Sequence, residues 1–392
     1  MPWYDWYQTD LPCQYSQAEA AKAREYLQAI LGSEFIAQQG AIRTTHPLLK
    51  EWDTNGGNAF LQLNGLADDV RLLCDKPGID KVLTDIREEQ LCLPSWHLLH
   101  TAALFERARR GSVVEFLEGG DAERPDAIVD VAGSRLPLEA KLLTQSEDEE
   151  RFGHTAQLID DGVSTSHAGL KLPTALYVIL KQFDASSAAV IGVVKESITD
   201  YRGISLSRRC NLCNVFLSSI DAPSGLADFR IFYVLAPVPD SENIRVLGRA
   251  KKASNQLRSL VSGALSGILS IGLNDNQDGA AVFDHIADRI RAGRFRGISG
   301  VLLVKRRTQL GPPQRVNVDL LEFRSNSSAD QPLDSSVPLR PAGAAELLTR
   351  VEPPVGGIRA YRFGSSTGRV IDPKAVALPL PDVRILTSDD LK

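Results

Sequence analysis

Between positions 126 and 142, apolar and charged residues alternate, and this alternation allows few backbone arrangements. The segments DAIVDV and LPLEAKLL, joined by AGSR, have the pattern of two strands in a β-hairpin. With a turn over 132–135 and antiparallel pairing, Val131 lies opposite Leu136 and Asp126 lies opposite Lys141. A slip of one residue would move every side chain to the other face and bury the charged groups, at a cost of several kcal/mol each.

Side chains alternate between the two faces of a sheet, so the predicted hairpin sorts its residues by chemistry. One face holds only apolar residues: Ala127, Val129, Val131, Leu136, Leu138, Ala140 and Leu142. The other face holds Ile128 and Pro137 together with the charged residues Asp126, Asp130, Glu139 and Lys141. One turn therefore gathers carboxylates and an ammonium group on the same side of the sheet.

Two carboxylates beside an ammonium group suit a hard cation. Mg²⁺ prefers oxygen ligands, keeps several waters and usually takes one or two carboxylates. Asp126 and Glu139 supply these, and the backbone carbonyl of Ala140 is a further oxygen ligand. Lys141 lies on the same face as Glu139, where its ammonium can orient a water or offset charge on a phosphate. We predict a Mg²⁺ site, in which Mn²⁺ can substitute, and interpret Asp130 as a solvated hairpin residue.

The motif formed by Pro125-Asp126, twelve intervening residues and Glu139-Ala140-Lys141 resembles that of the PD-(D/E)XK, or restriction-endonuclease-like, nuclease superfamily. The resemblance implies an α/β fold with a mixed central sheet flanked by helices, in the order helix, three strands, helix, strand. The helical segment SWHLLHTAALFERARR, the strand VVEFLEG and the hairpin are similar to the first four of these elements. The resemblance also implies an enzyme that hydrolyses phosphodiester bonds, with the two acids and the lysine of the motif as catalytic residues.

Two further site residues are implied by the resemblance alone. Many members of the superfamily carry a metal-binding glutamate on the first helix, and Glu106 matches that position. The helix after the hairpin often carries a glutamine near the site, for which Gln157 and Gln256 are both candidates. Gln256 is preferred, because its helix leads directly into the strand GILSIGL and completes the core. The preference also brings a phosphate-binding patch to the site, formed by Lys251, Lys252 and Arg258.

The preferred glutamine fixes the predicted organisation of the chain. Residues 1–94 form an N-terminal helical region that includes QAEAAKAREYLQAIL, and a nuclease-like domain over 95–305 begins with a helix capped by Ser95. A long insertion covers about 145–248, where the apolar runs TALYVIL, AAVIGVV and FRIFYVLAPV predict buried strands. Residues 306–392 are rich in Pro, Gly and Ser and are expected to form a loop-rich extension toward a partner or second subunit.

Composition and charge narrow the functional classes. The net charge of −5 argues against a surface covered in positive charge, but it is compatible with a local basic patch. No apolar run is long enough to span a bilayer and the N-terminus lacks a secretory pattern, so we expect a cytoplasmic protein without a membrane partner.

The five scattered cysteines fit a reducing compartment, and Cys210 and Cys213 are interpreted as two buried thiols rather than half of a zinc site. His97 and His100 are interpreted as packing or polar-face residues of a helix.

Two functional hypotheses follow. The first is a Mg²⁺-dependent endonuclease acting on DNA, in defence against foreign DNA or in DNA repair, a role that rests on the resemblance. The second is a non-catalytic interaction protein that uses a nuclease-like fold as a binding platform. An ion held by Asp126 and Glu139 favours the enzyme, whereas side chains splayed apart or capped by lysine and arginine favour the platform.

Overall fold

The structure, a computed structural model, describes residues 15–38, 45–53, 57–117, 124–131, 133–143, 147–170, 174–182, 185–219, 230–237, 240–259, 266–273, 279–311, 314–333, 345–346 and 358–363. The described residues form two compact units. We call the described parts of 11–144 and 243–350 the hairpin unit, because they contain the predicted hairpin. The described parts of 145–242 and 351–392 are the inserted unit.

The described helices are numbered in chain order. They are α1 (Gln17–Leu31), α2 (Ser33–Ile36), α3 (Pro47–Asp53), α4 (Gly57–Leu73), α5 (Ile79–Ile86), α6 (Glu89–Ala108), α7 (Glu147–Ala168), α8 (Ser187–Asp200), α9 (Asp240–Ser259) and α10 (Gly279–Arg291). Helix α1 covers the predicted segment QAEAAKAREYLQAIL from end to end. A capping box fixes its start, in which the Ser16 hydroxyl accepts from the Glu19 N–H and the Glu19 carboxylate accepts from the Ser16 N–H.

The described strands are also numbered in chain order. They are β1 (Val113–Phe116), β2 (Ala127–Val131), β3 (Ser134–Leu142), β4 (Thr174–Leu180), β5 (Ser205–Arg209), β6 (Cys213–Ser219), β7 (Arg230–Pro237), β8 (Gly267–Gly272), β9 (Ile298–Gly311), β10 (Gln314–Ser325), β11 (Ala345–Glu346) and β12 (Ile358–Phe363). In the hairpin unit the strand order is β1-β2-β3-β8-β9-β10-β11. Pairing is antiparallel from β1 to β3, parallel from β3 to β9, antiparallel between β9 and β10, and parallel between β10 and β11. The sheet is therefore mixed, as predicted.

Helices cover both faces of this mixed sheet. One face shares a continuous core with helices α1 to α6, to which Leu27, Leu66 and Leu99 contribute from the helices and Val129 and Leu138 from the hairpin. The opposite face packs against α9 and α10, through a core that includes Ala250, Leu257, Phe283, Leu269 and Leu303. The hairpin unit is thus an α/β structure in three layers, and the described helices of 1–94 share a core with the sheet.

The inserted unit has a sheet and a core of its own. Its strand order is β12-β7-β4-β6-β5, and helices α7 and α8 contribute to a separate cluster of buried residues. TALYVIL forms strand β4, and the described part of FRIFYVLAPV, Arg230–Pro237, forms strand β7. The strand prediction for AAVIGVV is wrong, because this run belongs to helix α8. Val190, Val194 and Ile198 are buried at a spacing of four residues, which is typical of one face of a helix. In a short run where nearly every residue is apolar, this period cannot be recognised from sequence.

Some predicted boundaries differ from the observed ones. Helix α6 begins at Glu89, six residues before the predicted cap at Ser95, so the expected boundary between 94 and 95 falls inside a helix. Pro94 lies within α6, where a proline normally disfavours a helix. Cys92, on the N-terminal side of Pro94, is fully buried, and its packing stabilises the helical turn that precedes the proline. Residues 306–311 belong to strand β9 and residues 314–325 form strand β10, although the segment after 306 was predicted to be loop-rich. In the described part of the chain, no helix combines the length and apolar character that a bilayer crossing requires.

Candidate metal and phosphate site

The hairpin that carries the predicted site has a tighter turn than expected. Strands β2 and β3 pair in a register that sets Val131 opposite Ser134, so two residues form the turn. The second of them, Gly133, has a φ of +87°, a left-handed conformation that suits a two-residue hairpin. The predicted four-residue turn is therefore wrong, and so is the predicted pairing of Asp126 with Lys141. A shift of two residues nevertheless keeps every side chain on its predicted face.

Two acids and one lysine of the motif come together where β2 begins and β3 ends. An oxygen of Asp126, Oδ2, accepts a hydrogen bond of 2.7 Å from the N–H of Ala140. The Lys141 ammonium forms an ion pair with Oε1 of Glu139. Glu139 is fully buried, and its second oxygen, Oε2, has no hydrogen-bond partner among the described residues.

The two carboxylates influence each other's ionisation. Burial raises the pKa of Glu139 to about 8, and the nearby Asp126 carboxylate acts in the same direction. Burial also raises the pKa of Asp126, against the opposing effects of Lys141, the Ala140 N–H and Lys252. Lys252 likewise opposes the rise at Glu139. The site therefore holds two closely spaced acids that are costly to ionise without a cation.

Helix α9 brings two further polar residues to the motif. The Gln256 side chain is buried, and its Nε2 donates a hydrogen bond of 3.2 Å to the carbonyl of Arg124, two residues before Asp126. Lys252 lies four residues earlier on the same helix, close enough to act on both carboxylates. The structure thus brings Gln256 to the site, whereas Gln157 lies in the inserted unit, is exposed and donates to Asp161.

A cleft of about 240 Å³ opens beside the motif. We call it the hairpin cleft; its lining includes Asp126, Ala140 and Lys141 from the hairpin, together with Lys81, Asp85, Ser95, Arg124 and Arg249. Among its described lining residues, four are basic and two are acidic. The sequence motif did not indicate Lys81, Asp85 or Arg124. Arg249 precedes Gln256 by seven residues, which is a same-face helical spacing that could have revealed it.

Glu106, the third carboxylate predicted to bind the metal, has other partners. Its carboxylate accepts hydrogen bonds from the N–H groups of Gly111 at 2.7 Å and Val113 at 3.0 Å. It also pairs with Lys76 at 3.1 Å. Glu106 therefore stabilises the turn that follows α6, and we remove it from the site as a correction.

The remaining predicted residues have structural partners. Oδ1 of Asp130 accepts a hydrogen bond of 2.9 Å from the N–H of Gly133, so this acid stabilises the hairpin turn. Both histidines of α6 are buried: Nδ1 of His100 lies 2.9 Å from Oδ2 of Asp69, and Nε2 of His97 lies 3.4 Å from the Ser270 hydroxyl. This agrees with their interpretation as packing residues. Of the two thiols predicted to be buried, Cys213 is buried, but Cys210 is partly exposed, so the prediction is wrong for Cys210.

The residues at the hairpin fit a hard divalent cation. In the described residues, no group of three His, Cys, Asp or Glu side chains is arranged to hold a metal ion. A cation here would therefore take the carboxylates of Asp126 and Glu139 and complete its shell with backbone oxygen and water, a set that Mg²⁺ commonly accepts. The unpartnered Oε2 of Glu139 is the observation that favours this fit.

Comparisons with known proteins find no relative of this chain. The chain matches no protein-family model, and neither the curated proteins nor the solved structures contain a match.

Proposed function

We propose that this chain is a Mg²⁺-dependent endonuclease that hydrolyses phosphodiester bonds of DNA at the hairpin cleft. The observation that carries the proposal is the pair of interacting carboxylates, Asp126 and Glu139, beside Lys141, at a cleft whose lining includes four basic and two acidic residues. The order of α6, β1, β2, β3, α9 and β8 supports it, because it is the order that the PD-(D/E)XK resemblance implies.

Each residue of the motif has a role in this proposal. Asp126 and Glu139 would hold the cation, with the Ala140 carbonyl as a further oxygen ligand. A cation held there would supply Lewis acidity, which lowers the pKa of a water and offsets charge on a phosphate. Lys141 leaves its pairing with Glu139 to orient that water or to stabilise the negative charge of the transition state. Gln256 is a positioning residue, because it fixes the backbone just before Asp126.

The charges around the cleft suit a phosphate backbone. Lys81, Arg124 and Arg249 line the hairpin cleft, and Lys252 acts on its carboxylates. Lys81 pairs with Asp85, which also lines the cleft, so the lining of a chain with a net charge of −5 has an excess of two basic residues. Local fields of this kind attract a polyanion even when the whole protein is acidic. Defence against foreign DNA or DNA repair remains the biological role that the resemblance suggests.

The test combines cleavage with metal binding. We expect the wild-type protein to nick supercoiled plasmid DNA with Mg²⁺ or Mn²⁺, and Lys141→Ala to reduce the rate on the order of 10²–10³-fold. Asp126→Asn and Glu139→Gln should weaken Mn²⁺ binding, measured by calorimetric titration, by more than about tenfold.

Glu106→Gln is the matched control, since it also alters a buried carboxylate of the hairpin unit. It should leave Mn²⁺ affinity and cleavage unchanged, because Glu106 is bound by backbone N–H groups and Lys76. The proposal fails if wild type and Lys141→Ala leave plasmid, linear duplex and single-stranded DNA equally intact over a range of metal ions.

One observation favours the rival function, a non-catalytic binding platform. Lys141 caps Glu139, which is the arrangement expected of a hairpin that holds no ion. If this function is the correct one, Mn²⁺ will not bind at the hairpin, and Lys141→Ala will not affect DNA cleavage. Mn²⁺ bound by Asp126 and Glu139 in a crystal grown with that ion would instead exclude the platform.

A further inference from the structure

Two cysteines face each other at the end of the β5–β6 hairpin, in the inserted unit. The antiparallel register runs to Arg209 opposite Asn214, so Cys210 and Cys213 form the next cross-strand pair. The N–H of Cys210 donates to the carbonyl of Cys213 at 3.0 Å, and the two Sγ atoms are 3.8 Å apart. A short turn therefore holds two thiols side by side.

This geometry is compatible with a bond between the sulfurs. Opposed residues of an antiparallel pair have Cα atoms roughly 4.5–5.5 Å apart, inside the range that disulfides accept. The sulfurs would have to approach by roughly 1.8 Å, from 3.8 Å to the disulfide length of about 2.05 Å. Rotation of the two short side chains provides such a movement without a change in strand register.

The two thiols differ in accessibility. Cys210 is partly exposed, whereas Cys213 is fully buried. The Cys210 sulfur accepts a hydrogen bond of 3.4 Å from the N–H of Cys213, and its own S–H group donates to the Cys213 carbonyl at 3.1 Å. A reagent from solvent therefore reacts with Cys210 first, and the Cys213 sulfur lies close enough to react with Cys210 afterwards.

The ionisation of the two thiols is also unequal. Burial opposes ionisation of Cys210, but the N–H groups of Cys213 and Leu212, the Cys213 thiol and the Lys181 ammonium together lower its pKa. Burial and the neighbouring Cys210 raise the pKa of Cys213 to about 12. Because the thiolate is the nucleophilic form, this difference agrees with the difference in exposure.

A structural metal is the alternative use of such a pair. Structural zinc takes four protein ligands. Within the described residues, no third His, Cys, Asp or Glu side chain joins the pair in a metal-binding group. The observations therefore favour thiol chemistry over a zinc site.

We propose that Cys210 and Cys213 form a redox-active dithiol site whose substrates are small disulfides. The Cys210 thiolate attacks one sulfur of a disulfide RSSR, forms a mixed disulfide and releases RS⁻. Cys213 loses its proton to the solvent or to RS⁻ and attacks the Cys210 sulfur, which releases the second RS⁻. The protein loses two hydrogens as the Cys210–Cys213 disulfide forms, and RSSR is reduced to two RSH.

The experiment treats the reduced full-length protein with oxidised glutathione, followed by acid quenching, alkylation and peptide mass mapping. We expect the peptides of Cys210 and Cys213 to become linked, with no lasting glutathione adduct. Cys74 is the internal control, because it is an exposed thiol whose sulfur hydrogen-bonds to the Arg71 carbonyl. It should stop at the mixed disulfide with glutathione.

Two variants test the order of attack. Cys213→Ser should accumulate a mixed disulfide at Cys210, because the resolving thiol is absent. Cys210→Ser should leave Cys213 reduced, reacting roughly tenfold more slowly or worse. Equal reactivity of the two variants, a lasting adduct at Cys210 in the wild type, or zinc that copurifies with the pair and blocks its oxidation would each overturn the proposal.

Discussion

The buried carboxylate of Glu139 makes the stability of the metal-free protein depend on pH. Its pKa in the folded state is about 8, above the ordinary value of 4.5. The folded state thus binds this proton more tightly than the unfolded chain does. The resulting stabilisation is complete below about pH 4.5 and disappears as the pH rises through 8.

Replacing Glu139 with glutamine should remove this pH dependence. In EDTA, we expect Glu139→Gln and wild type to have similar stability at pH 5. At pH 9 the variant should be more stable by more than about 1 kcal/mol, because one pKa unit corresponds to about 1.4 kcal/mol. Urea unfolding at the two pH values measures the difference. Parallel losses of stability in both proteins would show that the Glu139 carboxyl does not titrate in this range.

Glu106 should show the opposite pH dependence. Burial alone would raise its pKa, but the N–H groups of Gly111 and Val113 and the Lys76 ammonium lower it overall. The carboxylate therefore stabilises the protein above its unfolded pKa, and this effect is lost as the pH falls through the folded value. We expect Glu106→Gln to cost about 1.5–3 kcal/mol at pH 7, since charged hydrogen bonds are lost.

The same urea measurements at pH 3 complete the test of Glu106. At pH 3 the carboxyl of the unfolded chain is protonated, because this pH lies below its ordinary pKa of 4.5, and the lowered pKa of the folded state then stabilises the protein less than at pH 7. The difference in free energy of unfolding between wild type and Glu106→Gln should therefore shrink. If Glu106→Gln is less stable than wild type by the same free energy of unfolding at pH 7 and at pH 3, the packing of the Glu106 side chain, and not its charge, explains its role.

Sequence alone could identify Glu139 and Lys141 as site residues, but it could not identify the role of Glu106. The period of two along β3 places Glu139 and Lys141 on one face, whatever the exact turn length. The role of Glu106 depends on the path of the chain after α6, where backbone N–H groups at Gly111 and Val113 turn toward its carboxylate. A motif cannot encode that path, so the family pattern predicted a ligand where the fold has a structural acid.

Helices α4 and α6 are joined by a buried polar contact. Asp69, which is fully buried on α4, accepts a hydrogen bond from Arg107 and lies 2.9 Å from Nδ1 of His100 on α6. Removing one partner of a buried charged pair leaves the other uncompensated. We therefore expect Asp69→Ala to destabilise the hairpin unit by about 3–5 kcal/mol.

The neighbouring residue gives a matched control on the same helix. Asp68 is partly exposed, pairs with Arg71 across one turn of α4 and accepts a hydrogen bond of 3.3 Å from the Tyr15 hydroxyl. Exposed pairs contribute little, so Asp68→Ala should change the free energy of unfolding by less than about 1 kcal/mol. Similar losses in the two variants, measured by urea unfolding, would mean that helix propensity and not the buried contact controls stability here.

Elements with a strong local signal were predicted more accurately than those set by packing. Helix α1 has a capping box and good helix formers, and its predicted limits match the observed ones. The start of α6 was missed because Ser95 after Pro94 has the pattern of a helix start, whereas burial of Cys92 extends the helix toward Glu89. The part of β9 after 306 and the whole of β10 were missed, because the composition after 306 is polar and contains turn residues.

The arrangement of the whole chain follows from where the inserted unit interrupts the core. Strand β3 pairs with β8, although 124 residues separate the end of one from the start of the other. Choosing Gln256 over Gln157 required this long interruption, and an insertion was predicted over about 145–248, close to the 145–242 segment of the inserted unit. Its internal sheet could not be derived with the same accuracy, because its apolar runs fit helix and strand equally well.

Separate cores predict separate unfolding. The inserted unit has one cluster of buried residues, and the clusters of the hairpin unit contain residues of that unit alone. We expect scanning calorimetry to show two transitions. Asp69→Ala should lower one of them, and Leu176→Ala, which empties a fully buried position in the inserted unit, should lower the other by an amount equivalent to about 2–5 kcal/mol.

Metal should then distinguish the two transitions. A ligand that binds only the folded state raises the melting temperature of the unit that holds it. Because Asp126 and Glu139 belong to the hairpin unit, Mn²⁺ should raise only the transition that Asp69→Ala lowers, and Glu139→Gln should abolish the rise. A single transition that both core variants shift would refute independent unfolding, and a Mn²⁺ effect on the inserted unit would locate the metal outside the hairpin.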